Sequence, residues 1–281
     1  MRLGAEQWRV FLHWKEVINN RKTRYIEETA DDNKSSKEES VIKIDEEKCV
    51  GCELCVPYCT VGAISISDGV ANINQDDCVE CGVCIRSGIC PTDAFEETPS
   101  PWPRSLRAIL SNPLVESPDT RVPGRGTEEV KTNDVSGRAK PGFVGFAVEM
   151  GRPGVSTSMR DVQKMTMALA PLGVGFEAEN PVTFWITDKK TGKLRDDILN
   201  EKSLSAIIEF GIPIEKLPSV IEVLRKMEKE VDTVFSCCVA SKVLPDGSIP
   251  AEKILKDMGV TVRPNCKTNV GLGRPRFKFT Y

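Results

Sequence analysis

Two cysteine-rich stretches of the same design decide the fold of the N-terminal part of the chain. Residues 49–59 read CVGCELCVPYC, and residues 78–91 read CVECGVCIRSGICP. Together they hold eight of the eleven cysteines in a chain of 281 residues. In each stretch three cysteines are separated by two residues, and a fourth follows a few residues later.

The two stretches are copies within an internal repeat over residues 41–98. A shift of 29 residues superimposes the first three cysteines, and a shift of 31 superimposes the fourth cysteine and the residues that follow it. The difference is an insertion of two residues, Ser87 and Gly88, in the second copy. Neither copy is long enough to bury a core alone, so we expect the copies to close on each other.

This spacing resembles that of the bacterial ferredoxins that carry two [4Fe–4S] clusters, in which the fourth cysteine of each motif ligates the cluster of the other motif. The resemblance implies one cluster held by Cys49, Cys52, Cys55 and Cys90, and a second held by Cys78, Cys81, Cys84 and Cys59. The chain departs from the family at Thr60, where proline usually follows the fourth cysteine, and in the five-residue gap after Cys84.

Zinc sites and a disulfide scaffold are the alternative interpretations of these eight cysteines. Zinc sites usually take two plus two ligands from separated knuckles, which this spacing does not provide. Disulfide scaffolds are typical of small secreted domains, whereas this chain is long and shows no extracellular signature. The sequence therefore favours iron–sulfur ligation.

Charge is distributed unevenly along the chain, whose net charge is −3. Residues 27–98 carry 17 Asp or Glu and 5 Lys or Arg, residues 1–26 carry 2 and 6, and residues 99–281 carry 22 and 27. An acidic unit of this kind predicts docking onto a basic surface, its own or that of a partner; the alternative is that its acidity only maintains solubility.

The segments on either side of the repeat are predicted to be a helix with a linker on one side and an extended arm on the other. Residues 1–40 combine an amphipathic helix at 5–22, which includes the single histidine, His13, with an acidic linker at 27–40. Residues 99–141 predict an extended proline-rich arm with one helical turn at 105–110. The start lacks an apolar run of signal-peptide length, and no stretch is apolar enough to span a membrane.

Residues 142–281 predict an α+β docking or regulatory domain, a ferredoxin-like sandwich of βαβ repeats with helices on one sheet. Its expected strands are 143–150, 174–177, 182–187, 206–210, 233–239 and 260–263, and its expected helices are 158–172, 214–230 and 250–258. In the first helix, one apolar side is predicted to pack as core: Met159, Val162, Met165, Met167 and Leu169. The stretch Glu149–Gly154 resembles the strand-turn-helix entry of ACT regulatory domains, which would imply a small-molecule or subunit-pairing site.

Three cysteines lie outside the repeat. Cys237 and Cys238 are adjacent on a predicted strand and so point to opposite faces, and Cys266 lies in a predicted loop. We expect all three to be buried thiols that pack as small apolar residues. The basic, aromatic tail 274–279 is too short to predict nucleic-acid binding.

The sequence as a whole predicts a cytoplasmic electron-transfer protein with two [4Fe–4S] clusters, serving as the ferredoxin-like subunit or partner of a larger anaerobic oxidoreductase. No catalytic residues are predicted, and the redox enzyme subunit would be the electron donor or acceptor. A redox or small-molecule sensor and a reductase with an unrevealed active site are the alternatives, and pairing of two copies through the α+β domain is left open.

Overall fold

The computed structural model describes residues 42–98, 100–119, 121, 140–152 and 154–262. The predicted N-terminal helix and acidic linker, most of the proline-rich arm, Cys266 and the basic tail lie outside the described residues.

The cysteine-rich unit, residues 42–98, is built from short elements that repeat in the same order. They are β1 (Lys43–Ile44), a 3₁₀ turn (Val56–Tyr58), β2 (Ile64–Ser67), β3 (Val70–Ile73), α1 (Val83–Arg86) and β4 (Phe95–Glu96). Strand β1 pairs with β4 and β2 pairs with β3, both antiparallel. Ile44 lies opposite Phe95 as Ile73 lies opposite Ile64, so the two pairs have the register that the sequence repeat requires.

Backbone hydrogen bonds repeat in the same way across this unit. The N–H of Asp45 donates to the carbonyl of Ala94, and the N–H of Asn74 donates to that of Ala63, both at 2.8 Å. Each bond joins the end of a strand in one copy to a residue after the fourth cysteine of the other copy. The expected closure of the two copies on each other is thus seen in the backbone.

The remainder of the described chain contains a mixture of strands and helices. The helices are α2 (Ser105–Ser111), α3 (Met159–Leu169), α4 (Pro181–Phe184), α5 (Leu217–Met227) and α6 (Pro250–Asp257). The strands are β5 (Phe143–Met150), β6 (Thr157–Ser158), β7 (Gly175–Phe176), β8 (Ile186–Asp188), β9 (Lys193–Leu194), β10 (Lys202–Ser203), β11 (Ala206–Pro213) and β12 (Phe235–Ser241). The protein is therefore an α+β structure.

The largest sheet has four antiparallel strands in the order β12-β5-β11-β7. Numbered in chain order, the strands across the sheet are 4, 1, 3 and 2. Helix α3 connects β5 to β7, and helix α5 connects β11 to β12. Side chains on one face, with Phe146 stacked on Phe210 at 5.1 Å, pack against both helices in one core. Burial of this face is the main apolar contribution to stability.

Helix α2 belongs to this core although it follows the cysteine-rich unit directly. Leu106, Ile109 and Leu110 are buried within the same cluster of apolar side chains as the sheet. The hydroxyl of Ser111 accepts a 2.8 Å bond from the N–H of Leu204, just after β10. The helical turn predicted at 105–110 is confirmed, and it packs on the α+β part of the chain.

Three sequence predictions for this region were wrong. The strand expected at 182–187 begins instead as helix α4, because Asn180 caps it by accepting from the N–H groups of Val182 and Thr183 and a proline occupies its first turn. Residues 260–262 form no strand. Met167 is exposed, because it lies off the side of α3 that carries the buried positions.

Asp161 stabilises the start of α3 from a buried position. Ser158 caps the helix by accepting from the N–H of Asp161 at 3.1 Å, and its hydroxyl donates to the Asp161 carboxylate at 2.8 Å. Lys164 and the N–H of Asp232 also donate to this carboxylate. Burial works against the charged form, yet these hydrogen bonds together lower the pKa of Asp161 from its usual value near 3.8.

We expect Asp161→Ala to reduce the free energy of unfolding by about 1–3 kcal/mol at neutral pH. Because the folded pKa is lowered, this contribution is fully present above the unfolded pKa and is lost as the pH falls through the folded value. Urea unfolding of both proteins at pH 7 and at lower pH measures it. Asp196→Ala, which breaks only an exposed pair with Lys193, is the control and should change stability little. Equal losses in the two variants would contradict the assignment.

Candidate iron–sulfur site

The structure brings the first cysteine motif and one distant cysteine around a single cavity. This cavity is lined by Cys49, Cys52, Cys55 and Cys90, with apolar side chains between them. Val50 and Leu54 of the motif also border it. Cys90 comes from the second copy, and it reaches this cavity because β4 returns the chain alongside β1. We call residues 46–58 the first loop.

A second cavity has the reciprocal composition. It is lined by Cys78, Cys81, Cys84 and Cys59. Here Cys59 is the residue from the other copy, and the pairing of β2 with β3 places it beside the second motif. The four cysteines around each cavity are the sets implied by the resemblance to two-cluster ferredoxins. We call residues 75–87 the second loop.

Backbone N–H groups point at sulfur atoms around both cavities. The N–H of Ala63 donates to Cys59 Sγ at 3.1 Å, and the N–H of Ala94 donates to Cys90 Sγ at 3.3 Å. These two bonds are equivalent under the repeat. The N–H of Ala71 donates to Cys49 Sγ at 3.3 Å. Sulfur is a weak acceptor as a thiol, so this arrangement suits thiolate ligands.

The cysteines differ in how easily they ionise. Burial raises the pKa of Cys78 to about 11 and that of Cys84 to about 12, with further contributions from neighbouring groups. At Cys90 burial is again the largest influence, but hydrogen bonds from Ala94 and Thr92 outweigh it and lower the pKa. Burial thus opposes ionisation of Cys78 and Cys84, and a bound iron–sulfur cluster would supply positive charge that favours their thiolates.

The donor set fits an iron–sulfur cluster better than the two alternatives. The ten cysteines within the described ranges are all free, which leaves no disulfide scaffold there. Among the same residues, no group of three or more His, Cys, Asp or Glu converges closely enough to hold one metal ion. Four sulfurs that surround one cavity without converging on a point instead suit a ligand that is larger than a single ion.

The two loops share an unusual backbone conformation. Gly51 and its counterpart Glu80 have φ of 63° and 53°, and Glu53 and its counterpart Gly82 have φ of 63° and 66°. Residue 51 must be glycine, because a Cβ on Gly51 would collide with the carbonyl of Gly69. Glu80 holds the same left-handed conformation with a side chain, at a cost in strain that its buried contacts offset.

The two-residue insertion changes the element that follows the third cysteine. In the first copy this element is the 3₁₀ turn Val56–Tyr58, and in the second it is helix α1, after which Ser87 donates its N–H to the carbonyl of Val83. Arg86 at the end of α1 donates to the side chain of Asn112 at 2.9 Å. A cation just before the insertion thus contacts the residue that follows α2.

Thr60, where proline was expected, contributes a polar atom to the second cavity's surroundings. Its hydroxyl lies 3.9 Å from Cys81 Sγ. A proline at this position would lack this hydroxyl. The departure from the family pattern thus adds a hydrogen-bonding group beside one sulfur.

Two arginines of the α2 segment hold the second loop, and sequence reasoning missed both. Arg107 donates from Nη1 to the carbonyls of Gln75, Asp76 and Cys78 at 2.9, 3.3 and 2.7 Å. Its Nε donates to Glu201 at 2.6 Å, and both side chains are nearly buried. The pair joins the second loop to the α+β part of the chain.

Arg104 makes the companion contact to Glu80. Its Nε donates to the Glu80 carboxylate at 2.6 Å, and Ser100 donates to the same carboxylate at 2.8 Å. Burial raises the pKa of Glu80, although both hydrogen bonds oppose this effect. A carboxylate between two cysteines is thereby held inside the protein rather than exposed to solvent.

Of the cysteines outside the repeat, the two that the structure describes, Cys237 and Cys238, line neither cavity. Cys237 and Cys238 lie on β12 opposite Val148 and Ala147, so they point to opposite faces as expected. The expectation that they are buried was wrong, since Cys237 is exposed and Cys238 is half-buried.

Comparison with known proteins identifies one segment of the chain. Residues 42–65 match the 4Fe-4S binding domain family, Fer4. The matched segment includes Cys49, Cys52, Cys55 and Cys59. This match implies a [4Fe–4S] cluster and an iron–sulfur electron-transfer role. No curated protein and no solved structure matches the chain. No helix within the described ranges is both long and apolar enough to cross a membrane.

Proposed function

We propose that the chain is an electron-transfer protein with two [4Fe–4S] clusters in crossed ligand sets. Cys49, Cys52, Cys55 and Cys90 hold the first cluster, and Cys78, Cys81, Cys84 and Cys59 hold the second. When bound, the clusters supply one-electron transfer, while the chain supplies thiolates and N–H donors around them.

One observation carries this proposal: each of the two cavities is lined by three cysteines of one copy and the fourth cysteine of the other. The equivalent N–H bonds to Cys59 and Cys90 support it, because a single-cluster protein has no need to keep both. The shared left-handed backbone of both loops is a third argument, independent of the sulfur positions.

The α+β domain at residues 142–281 serves in this proposal to attach the cluster-binding unit, residues 41–98, to a redox enzyme. The strand order 4-1-3-2, with a helix after the first and third strands, supports a ferredoxin-like sandwich. Arg107 and Glu201 link this domain to the second loop. The protein is thus an oxidoreductase subunit or partner, working in the reducing, low-oxygen cytoplasm that free cysteines and such clusters favour.

The direct test is the iron and sulfide content of the anaerobically prepared chain. We expect about eight iron and about eight sulfide per chain after reconstitution, because eight ligands are available in two sets. Iron and sulfide assays with quantified protein measure both. A reproducible value near half of this would remove the second cluster.

The control is a variant in which Cys237 and Cys238 are both changed to serine. These cysteines lie on β12, away from both cavity linings, so the variant should retain the full iron content. A loss of iron in this variant would mean that the ligand assignment is incomplete.

A further inference from the structure

The two loops share a backbone but differ in what covers them. Val50 is 64% exposed, whereas Val79, its counterpart 29 residues later, is 1% exposed. Leu54 of the first loop is 47% exposed, and its counterpart Val83 is half-buried. Since the backbone on either side of the second cysteine is left-handed in both loops, we ascribe the difference between Val50 and Val79 to their surroundings.

The second loop is covered by the segment that contains Arg104 and helix α2 (Ser105–Ser111). Its arginines bind the loop carbonyls and the Glu80 carboxylate, and its apolar side chains continue into the core. The covering element is therefore amphipathic, with cations placed where the loop presents oxygen atoms. A partner element with apolar and cationic side chains therefore suits a loop of this conformation.

The first loop presents the same groups without such a cover. The carbonyls of Glu46, Glu47 and Cys49 are equivalent to those bound by Arg107, and no side chain within the described ranges donates to them. The unit that carries the exposed Val50 and Leu54 is acidic: residues 42–98 hold eleven Asp or Glu and three Lys or Arg. Exposed apolar side chains on a unit of one charge sign are typical of a protein-binding surface.

We propose that the first loop is the docking face for an electron-transfer partner protein, whose contact element is apolar at its centre and cationic at its edge. The partner covers Val50 and Leu54 and places basic side chains at the carbonyls of the loop, as α2 does in the second copy. A second copy of the chain docked face to face would bring two acidic units together, which disfavours it. This inference rests on the proposed function.

Docking here places the partner beside the first cavity, which is bordered by the same two apolar side chains. In the transfer, one electron leaves the reduced chain and reduces a one-electron acceptor in the partner, and no bond is formed or broken. The second loop faces the α+β domain through the arginine contacts, so its cluster is the inner member of the pair.

The test uses the full iron-loaded chain and oxidised cytochrome c, a small basic haem protein, as the probe. Hydrogen–deuterium exchange under anaerobic conditions should show protection of residues 46–58 by the probe. Calorimetry should show about tenfold weaker binding for the double variant Val50→Ser/Leu54→Ser, because central apolar contacts dominate such interfaces. Glu47→Lys should also weaken binding and reduce its salt dependence.

Matched controls lie in the α+β domain. Val155→Ser removes an apolar side chain of similar exposure, and Glu228→Lys reverses an exposed charge at the end of α5. Both should bind the probe within about twofold of the unchanged chain. Equal binding by the Val50→Ser/Leu54→Ser variant, or protection elsewhere on the chain, would overturn the docking face.

Two further measurements distinguish a failure of the docking proposal from a failure of the proposed function. If deletion of residues 1–26 strengthens probe binding at the first loop about tenfold, the chain's own basic N-terminus occupies the face and the proposal is wrong. Iron content is measured on every sample. Absence of iron would remove the proposed function, whereas an iron-loaded chain that does not bind through this face would remove only the docking proposal.

Discussion

Replacing Arg107 with methionine should lower the free energy of unfolding by about 3–5 kcal/mol. The substitution leaves Glu201 nearly buried without its cation and removes the donor shared by three carbonyls of the second loop. Because one of those carbonyls belongs to Cys78, the variant should also lose iron from the second cavity first. Anaerobic urea unfolding, followed by circular dichroism, and iron content measure the two effects.

The double variant Arg107→Met/Glu201→Met separates the ion pair from the carbonyl contacts. It removes the stranded carboxylate, so it should recover much of the stability, while the carbonyls of the second loop stay without a donor. Arg107→Lys keeps the charge but not the fork that reaches Glu201 and the loop together, and should be intermediate. Lys253→Met, which breaks only an exposed pair with Asp257, is the control and should be nearly neutral.

If Arg107→Met is no more destabilising than Lys253→Met, the bridge between the second loop and the α+β domain is not a stabilising contact. If stability falls while the second loop keeps its iron, α2 anchors the domain but does not position the ligands. These outcomes distinguish an architectural role from one at the site.

The cysteine-rich unit could be predicted in detail because its information is local. Cysteine spacing, the offset of 29 residues and the insertion at Ser87 and Gly88 all lie in the sequence, and the paired registers follow from them. Strand β5 was predicted to its boundaries, Phe143–Met150, because a continuous apolar run buried on both faces has few other interpretations.

The contacts that join the two parts of the chain could not be predicted. Arg104 and Arg107 stand in a proline-rich stretch that is typical of a solvated arm, and their carboxylate partners are 24 and 94 residues away in the sequence. Helix α4 was missed because Val182–Thr187 has the composition of a strand, and a single cap at Asn180 outweighed it. Long-range ion pairs and local caps each override the average preference of a segment.

The second large effect is expected for substitutions of Cys59 and Cys90, the two cysteines of the proposed crossed ligand sets. Each cysteine lines the cavity of the other copy, so each should be needed for the cluster of the motif to which it does not belong. A single substitution cannot show this by iron content alone, because both variants should lose about half of the iron. The assignment requires a background in which one cluster is already absent.

Such a background is Cys49→Ala/Cys52→Ala, which removes two ligands of the first cavity and should retain about four iron atoms per chain in the second. Adding Cys59→Ala should then abolish the remaining iron, whereas adding Cys90→Ala should leave it unchanged. The reciprocal background, Cys81→Ala/Cys84→Ala, should reverse the two results. Iron loss caused by Cys90→Ala in the first background and by Cys59→Ala in the second would show that each motif keeps its own fourth cysteine, and would reject the crossed sets that the two cavities indicate.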